Sequence, residues 1–447
     1  MESSRGKWSS KAGFIIAASG SAVGLGNIWK YPYIAGENGG AAFTFVYLIC
    51  IAVVGLPILL SEFVIGRKTQ LSPVGAFEKL VPKTKWKLIG FLGVASAFVI
   101  LSFYSVIGGW TIKYIYLAIS TGFESLSGNP EAAGEVFNAF TSSTWEPLFW
   151  HIIFMSLTIF IIVKGVKGGI EKWSKIMMPM IVIILILLVI RGLTLPGGMK
   201  GIEFLFSPKF SDLTPQSIVL ALGHSFFTIS LGMGTMITYG SYLGKDQNLL
   251  KSGIIVIGVD TAIALLAGIA IFTAVFALGA DPGQGPGLVF AVLPTVFPNI
   301  PGGGQLWGGL FFFVLFLAAL TSAISILEVV TAYFIDQKGW SRSKATYTFG
   351  GVIFVVGILC SLYSNVFGFL DAASSKYMLP IGGLLTAIFI VYRWGLPKFL
   401  DEIMEGRVGK RPSTMVVKVI FIIAVVVVFY IIANEIVQVI TGSPIIG

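Results

Sequence analysis

Eleven apolar stretches run along this chain, and two of them dissolve into glycine where a membrane helix is expected to be continuous. The stretches cover 11–36, 41–66, 88–121, 148–164, 174–192, 216–241, 252–278, 305–335, 345–362, 366–394 and 415–440. Most exceed the roughly 20 residues that carry a helix across a bilayer. The first is interrupted near 22–25, within Gly20-Ser21-Ala22-Val23-Gly24-Leu25-Gly26-Asn27. The sixth is interrupted near 230–234, within Phe227-Thr228-Ile229-Ser230-Leu231-Gly232-Met233-Gly234. A broken helix in hydrocarbon leaves N–H and C=O groups unpaired, and survives only where they line a cavity or meet a ligand. Two such breaks in corresponding halves point to a transport site at mid-membrane. The polar stretch 123–147 reads as a loop, and the Gly/Pro-rich 281–304 as a loop or re-entrant turn.

Orientation follows from the basic residues. With the N-terminus in the cytoplasm, 24 of the 30 Lys and Arg fall in inner segments, Lys30, Lys113 and Lys376 fall within spans, and the outer loops hold only Arg191, Lys200 and Lys209. Segments 1–5 (11–192) and 6–10 (216–394) then start on opposite faces, each with a broken helix. That is the pattern of an inverted repeat. Residues 1–10 form a cytoplasmic N-terminal segment, and 415–440 is an eleventh helix outside the repeat. The basic, small-residue N-terminus resembles a weak signal peptide, but hydrophobicity resumes after Gly26, so a retained first helix is expected.

Composition narrows the class. Of 447 residues, 55% are hydrophobic and 11% charged, against about 25% charged in soluble domains. The net charge of +9 lies in loops on one membrane side, which argues against nucleic acid. Cys50 and Cys360 sit in apolar runs and read as buried thiols. Two histidines, His151 and His224, exclude a multi-histidine metal site and lack evident catalytic partners, so no enzyme is expected.

The chemistry gathers at the breaks. Carbonyls of Gly20, Ala22 and Val23 and the Asn27 side chain are hard oxygens suited to Na⁺. Amides around Leu25 and Gly26 suit a carboxylate. Thr228 and Ser230 bring oxygens to the second break. Asp260 is an acid deep in an apolar segment, where charge is costly and usually functional. Thr321 and Ser322 place adjacent hydroxyls in an apolar helix. Glu62 is suited to accept bonds from N–H groups that a broken helix frees. Tyr104 and Phe227 are candidate lids of a pocket.

These residues resemble the neurotransmitter:sodium symporter family, the LeuT-type transporters. The match spans essentially the whole chain and rests on Gly20–Asn27 with Trp29-Lys30-Tyr31-Pro32, Leu56-Pro57 with Glu62 and Gly66-Arg67, Tyr104 with Trp110, Phe227–Gly234 with Ile237-Thr238-Tyr239, and Thr321-Ser322. The resemblance implies an all-α membrane protein with a 5+5 inverted repeat, broken helices 1 and 6, and sodium-coupled symport by alternating access in the cell membrane. It implies one sodium site at Ala22, Asn27, Thr228 and Asp260, and a second at Gly20, Val23, Ala318, Thr321 and Ser322. The substrate carboxylate is expected at Leu25, Gly26 and Tyr104, and its amine near Ala22, Phe227, Thr228 and Ser230. Gly24, Ile100, Met233, Ser322 and Ile326 complete the pocket. Arg5, Trp8, Tyr242 and Asp336 match the cytoplasmic gate, and Gly169 and Pro179 bracket a stretch of segment 5 that unwinds in the family.

Departures from the family pattern sharpen the expectation. Amine carriers have aspartate where this chain has Gly24, so the substrate brings its own carboxylate. Met233 between glycines gives an adaptable wall, which suits hydrophobic and aromatic L-amino acids. Asp260 replaces a usual asparagine, and Ala264 lacks the acid of many chloride-independent relatives. Asp260 is expected to supply that charge, so chloride is not required even though Tyr47 matches the chloride-site tyrosine. Lys30 replaces an arginine and Ser374 its acidic partner, which argues against a direct outer salt bridge. The rival readings are an amino-acid sensor on the same scaffold and an ion channel. No ring of like charge or repeated filter loop supports a channel.

Overall fold

Apolar helices fill the structure, a computed structural model that describes residues 6–285, 287–406 and 409–441. We label the spanning helices α1 (Lys11–Ala22), α2 (Gly26–Glu37), α3 (Ala41–Thr69), α4 (Lys87–Ile119), α5 (Glu146–Val163), α6 (Val166–Leu193), α7 (Pro215–Thr228), α8 (Thr235–Gly240), α9 (Leu249–Ala277), α10 (Gly304–Lys338), α11 (Arg342–Leu362), α12 (Ser364–Met404) and α13 (Thr414–Thr441). Among the described residues, nine helices are long and apolar enough to cross a membrane, and α1 with α2 forms a tenth span bent by 44°. The remaining expected span is the interrupted pair α7 and α8, separated by residues 229–234.

Local chemistry sets the ends. Ser10 caps α1 by accepting from the Gly13 amide at 3.0 Å. Thr214 and Ser217 form a capping box at α7, with Pro215 in the first turn. Gly339 ends α10 in the left-handed region at φ 64°.

Helices α4 and α10 stand at the centre, with 72% and 83% of their most apolar stretches buried, whereas α13 is 28% buried and peripheral. The outward residues, such as Phe149, Ile152, Ile183, Ile190 and Phe429, are large, apolar and exposed, as a lipid-facing surface requires.

Two expected loops carry helices. Residues 130–142 are helical because Asn129 caps them, accepting from Ala132 N, and Pro130 opens the first turn. Residues 288–299 are helical because Leu288, Val289 and Phe290 find a core. Phe290 packs on Tyr114 at 5.1 Å, on Phe137 at 5.6 Å and on Trp110 at 5.8 Å. Helix α12 runs past the expected end at 394 to Met404, through wide turns at Ala373–Met378 and Phe389–Gly395.

Candidate functional site

Helix α1 stops at Ala22, and Val23 turns extended (φ −75°, ψ 104°). The freed carbonyls meet hydroxyls from the other half of the chain. Ser21 O accepts from Ser230 Oγ at 2.9 Å and Ser322 Oγ at 3.1 Å. Val23 O accepts from Thr321 Oγ1 at 3.1 Å, and that same hydroxyl reaches Ala318 O at 2.9 Å. Val23, Ala318, Thr321 and Ser322, expected together, therefore do come together. Gly20 joins them, because a Cβ on it would lie 3.6 Å from Thr321 Cβ. Ser21 was not foreseen; its hydroxyl also bonds Ser325 Oγ at 2.7 Å.

The freed amides are met as well. Gly24 N donates to Asn27 Oδ1 at 2.9 Å, and Leu25 N donates to the Tyr104 hydroxyl at 3.1 Å. Asn27 Nδ2 donates to Asp260 Oδ1 at 2.7 Å and to Asp260 O at 3.0 Å. Thr228 Oγ1 donates to Asp260 Oδ1 at 3.0 Å, and the Tyr47 hydroxyl to Oδ2 at 3.4 Å. All these groups are buried. Two hydroxyls and one side-chain amide, from three helices, converge on one carboxylate.

The second break is built differently. Ser230, Gly232 and Gly234 take positive φ of 55°, 79° and 75°. Glu62, buried in α3, accepts from Gly232 N at 2.8 Å, which is the role its sequence position suggested. Gly66 lets α3 approach α8, since a Cβ there would fall 2.1 Å from Ile237 O. Next to it, Arg67 is buried with Glu402 at 2.7 Å and Gln247 O at 2.7 Å.

Between the breaks lies a narrow cavity of about 20 Å³, lined by Ala22, Gly24, Gly26, Ile100, Tyr104, Phe227, Thr228, Ser230, Met233, Ser322 and Ile326. Every residue expected in the pocket lines it except Leu25, whose side chain lines a second small cavity with Trp29, Lys30 and Asp371. Phe227 and Tyr104 border both cavities and so form the partition. Gly24 has no room for a side chain: a Cβ would lie 2.4 Å from Ser322 Oγ and 2.8 Å from the Tyr104 hydroxyl. Neither histidine lines the central cavity; His151 pairs with Ser105 at 2.8 Å. Among the described residues no group of His, Cys, Asp and Glu is suited to a transition metal, whereas carbonyls, hydroxyls and one carboxylate suit a hard monovalent cation.

At the expected outer gate, the expectation against a direct salt bridge is corrected. Lys30 Nζ lies 3.9 Å from Asp371 Oδ1 and 4.4 Å from the centre of the Phe227 ring. The acid stands one helical turn before Ser374, whose hydroxyl donates to Asp371 O at 3.1 Å. A helix repeats its face every three to four residues, so the pair survives a shift of one turn.

At the expected cytoplasmic gate, Trp8 Nε1 donates to Tyr239 O at 3.0 Å, and its ring meets the Tyr242 ring at 5.9 Å. Asp336 accepts from Ser72 N at 2.6 Å. Arg5 lies outside the described residues. Sequence reading missed Glu328, fully buried in α10, which accepts from the Tyr242 hydroxyl at 2.5 Å and pairs with Arg342 at 2.6 Å. An acid two turns beyond Thr321 in an apolar helix was the available signal. At the N-terminal end of α1, Lys11 bonds Asp246 at 3.0 Å and holds that exposed carboxyl below its ordinary range. Gly169 and Pro179 lie in a wound α6, with a wide turn over Val166–Glu171. Glu171 in that turn accepts from Ser9 N at 2.8 Å.

A family model, the sodium:neurotransmitter symporter family, matches residues 5–129 and 133–443. The chain belongs to that family. The symporter is 43% identical to a sodium-dependent transporter of Bacillus subtilis, YhdH, over 90% of each chain. It is 33% identical to the Methanocaldococcus jannaschii sodium-dependent transporter MJ1319, over 91% of this chain and 86% of that one. Its fold is similar to the crystal structure of MhsT in complex with L-phenylalanine, with a TM-score of 0.87 and 45% identity over 96% of this chain and 100% of that one. It is thus a sodium-dependent, multi-pass, LeuT-type secondary transporter and not an enzyme.

Proposed function

We propose that the symporter imports hydrophobic L-amino acids, aromatic ones included, by alternating access across the cell membrane with its N-terminus in the cytoplasm. One observation carries the reading. Gly24 leaves no room for an acidic side chain, so the pocket offers a substrate carboxylate backbone amides and the Tyr104 hydroxyl. The walls beyond are Ile100, Phe227, Met233 and Ile326. That the similar MhsT was crystallised with L-phenylalanine supports the same substrate class.

The oxygens support two sodium sites. The first takes Ala22, Asn27, Thr228 and Asp260 with the substrate carboxylate, and the second Gly20, Val23, Ala318, Thr321 and Ser322. In each, a cation replaces hydrogen bonds now made by those groups, so binding ties the two halves together through the same residues. Moving one charge inward is worth about 2.3 kcal/mol per 100 mV, so two sodium ions with a zwitterion draw about 4.6 kcal/mol per 100 mV from voltage. Asp260 supplies negative charge beside the first site, with Tyr47 donating to it, and this supports transport without chloride. Lys30, Asp371 and Phe227 serve as the outer gate. Trp8, Tyr242 and Asp336 form the inner one, joined by Glu328 and Arg342, with Arg5 retained from the family pattern. The stretch from Gly169 to Pro179 unwinds to admit water from the cytoplasm to the second sodium site.

The test is uptake of radiolabelled L-phenylalanine and L-leucine into proteoliposomes under an inward sodium gradient. The expected result is accumulation that collapses when the gradient is dissipated. Sodium-dependent binding without accumulation overturns symport in favour of a sensor, and accumulation of amines lacking a carboxylate overturns the substrate assignment.

A further inference from the structure

Away from the transport pathway, an apolar groove of about 260 Å³ opens between α3, the start of α9, the end of α12 and the start of α13, on the side that the proposed orientation turns to the cytoplasm. Its walls include Leu56, Leu60, Leu250, Ile403, Val417 and Phe421. The surrounding charges are unbalanced. Each local acid is already paired: Glu402 with Arg67 and Lys68, Glu405 with Lys245, and Asp401 with Arg411. Four exposed lysines are left over, and three of them are sequence neighbours of lining residues: Lys251 follows Leu250, Lys398 precedes Phe399, and Lys418 follows Val417. The fourth, Lys410, lies two residues before the lining Pro412. None of the four makes an ion pair among the described residues.

We propose that this groove is a binding site for one anionic glycerophospholipid of the inner leaflet, its acyl chain against Leu56, Leu60 and Phe421 and its phosphate among Lys251, Lys398, Lys410 and Lys418. An apolar slot asks only for a hydrocarbon chain and does not choose between lipids. The surplus lysines choose, because basic clusters at the cytoplasmic ends of membrane helices attract anionic headgroups. The site is separate from the sodium and substrate residues, so its occupancy is readable without transport.

The experiment is native mass spectrometry of the purified full-length symporter after exchange into mixed micelles holding equal phosphatidylglycerol and phosphatidylcholine. One phosphatidylglycerol is expected to be retained in preference to phosphatidylcholine by about five-fold or more, the worth of roughly one surface lysine. The combined variant Lys251→Gln, Lys398→Gln, Lys410→Gln, Lys418→Gln is expected to lose the preference but keep a bound lipid. Val417→Trp, which fills the slot, is expected to lose the lipid. Glutamine at Lys83, Lys85, Lys164 and Lys167, on other inner loops, is expected to change nothing. Equal retention of the two lipids by the parent protein overturns the proposal, whatever the folding of the variants. So does undiminished preference in the combined lysine variant.

Discussion

The two interrupted helices are broken by different means. The first, at Val23–Leu25, needs no positive φ. Its orphan groups are satisfied by side chains that reach in from elsewhere: Ser230, Thr321 and Ser322 on the carbonyls, and Tyr104 on the amide of Leu25. The second, at 229–234, is set by the backbone itself, through three positive-φ residues, of which Gly232 is packed against α12 and braced by Glu62. Side-chain hydrogen bonds of this kind are each worth about 0.5–1.5 kcal/mol net and are readily traded for a ligand. A left-handed backbone pressed on a neighbouring carbonyl is not. The first break is therefore the exchangeable half of the site, and the second its fixed frame.

The sharpest test of that contrast is Gly232→Ala. A Cβ there falls 2.2 Å from Leu379 O at φ 79°, and strain and overpacking together cost about 3–5 kcal/mol. Loss of folded protein or a large fall in melting temperature is expected. Gly20→Ala, whose Cβ meets only the flexible Met178 and Thr321 side chains at 3.3 Å or more, is expected to fold near normally. Equal damage from the two ends the distinction.

Next comes Asp260→Asn. Removing the carboxylate is expected to cut uptake in chloride-free buffer by at least about ten-fold, the worth of one charge-assisted contact, with recovery on adding chloride. Unchanged uptake without chloride defeats the assignment of that charge to Asp260.

A smaller effect is expected from Tyr104→Phe, which removes one acceptor from Leu25 N. The apparent affinity for substrate is expected to fall by roughly ten-fold, the value of about 1.4 kcal/mol, with little change in melting temperature. A stability loss as large as that of Gly232→Ala places Tyr104 in the frame instead.

The smallest is Pro179→Ala. It restores a helix donor and relieves the clash one turn back, so α6 unwinds less readily. Sodium release to the cytoplasm, followed by stopped-flow exchange, is expected to slow by a few-fold. Normal turnover counts against a role for unwinding.

Most of the architecture was legible because a bilayer restricts backbone to continuous helices except at functional breaks. Eleven apolar stretches and two glycine interruptions therefore located the spans and the two breaks at which Asn27, Thr228, Asp260 and Thr321 gather. The helices at 130–142 and 288–299 were less legible, because their apolar faces are short and gain meaning only against Trp110 and Tyr114. The Lys30–Asp371 pair was hidden for a related reason: the acid lies one turn before position 374, and side chains pair by helical face.

The sequence by itself determined where the chain enters and leaves the membrane and which residues carry oxygens at mid-depth, since hydropathy and glycine content are properties of contiguous stretches. Only the tertiary structure decided which hydroxyl satisfies which carbonyl, that Glu328 answers Arg342, and that Gly24 faces Ser322 and Tyr104. Those are distances between residues far apart in the chain, fixed when ten or more helices pack together, and no local pattern encodes them.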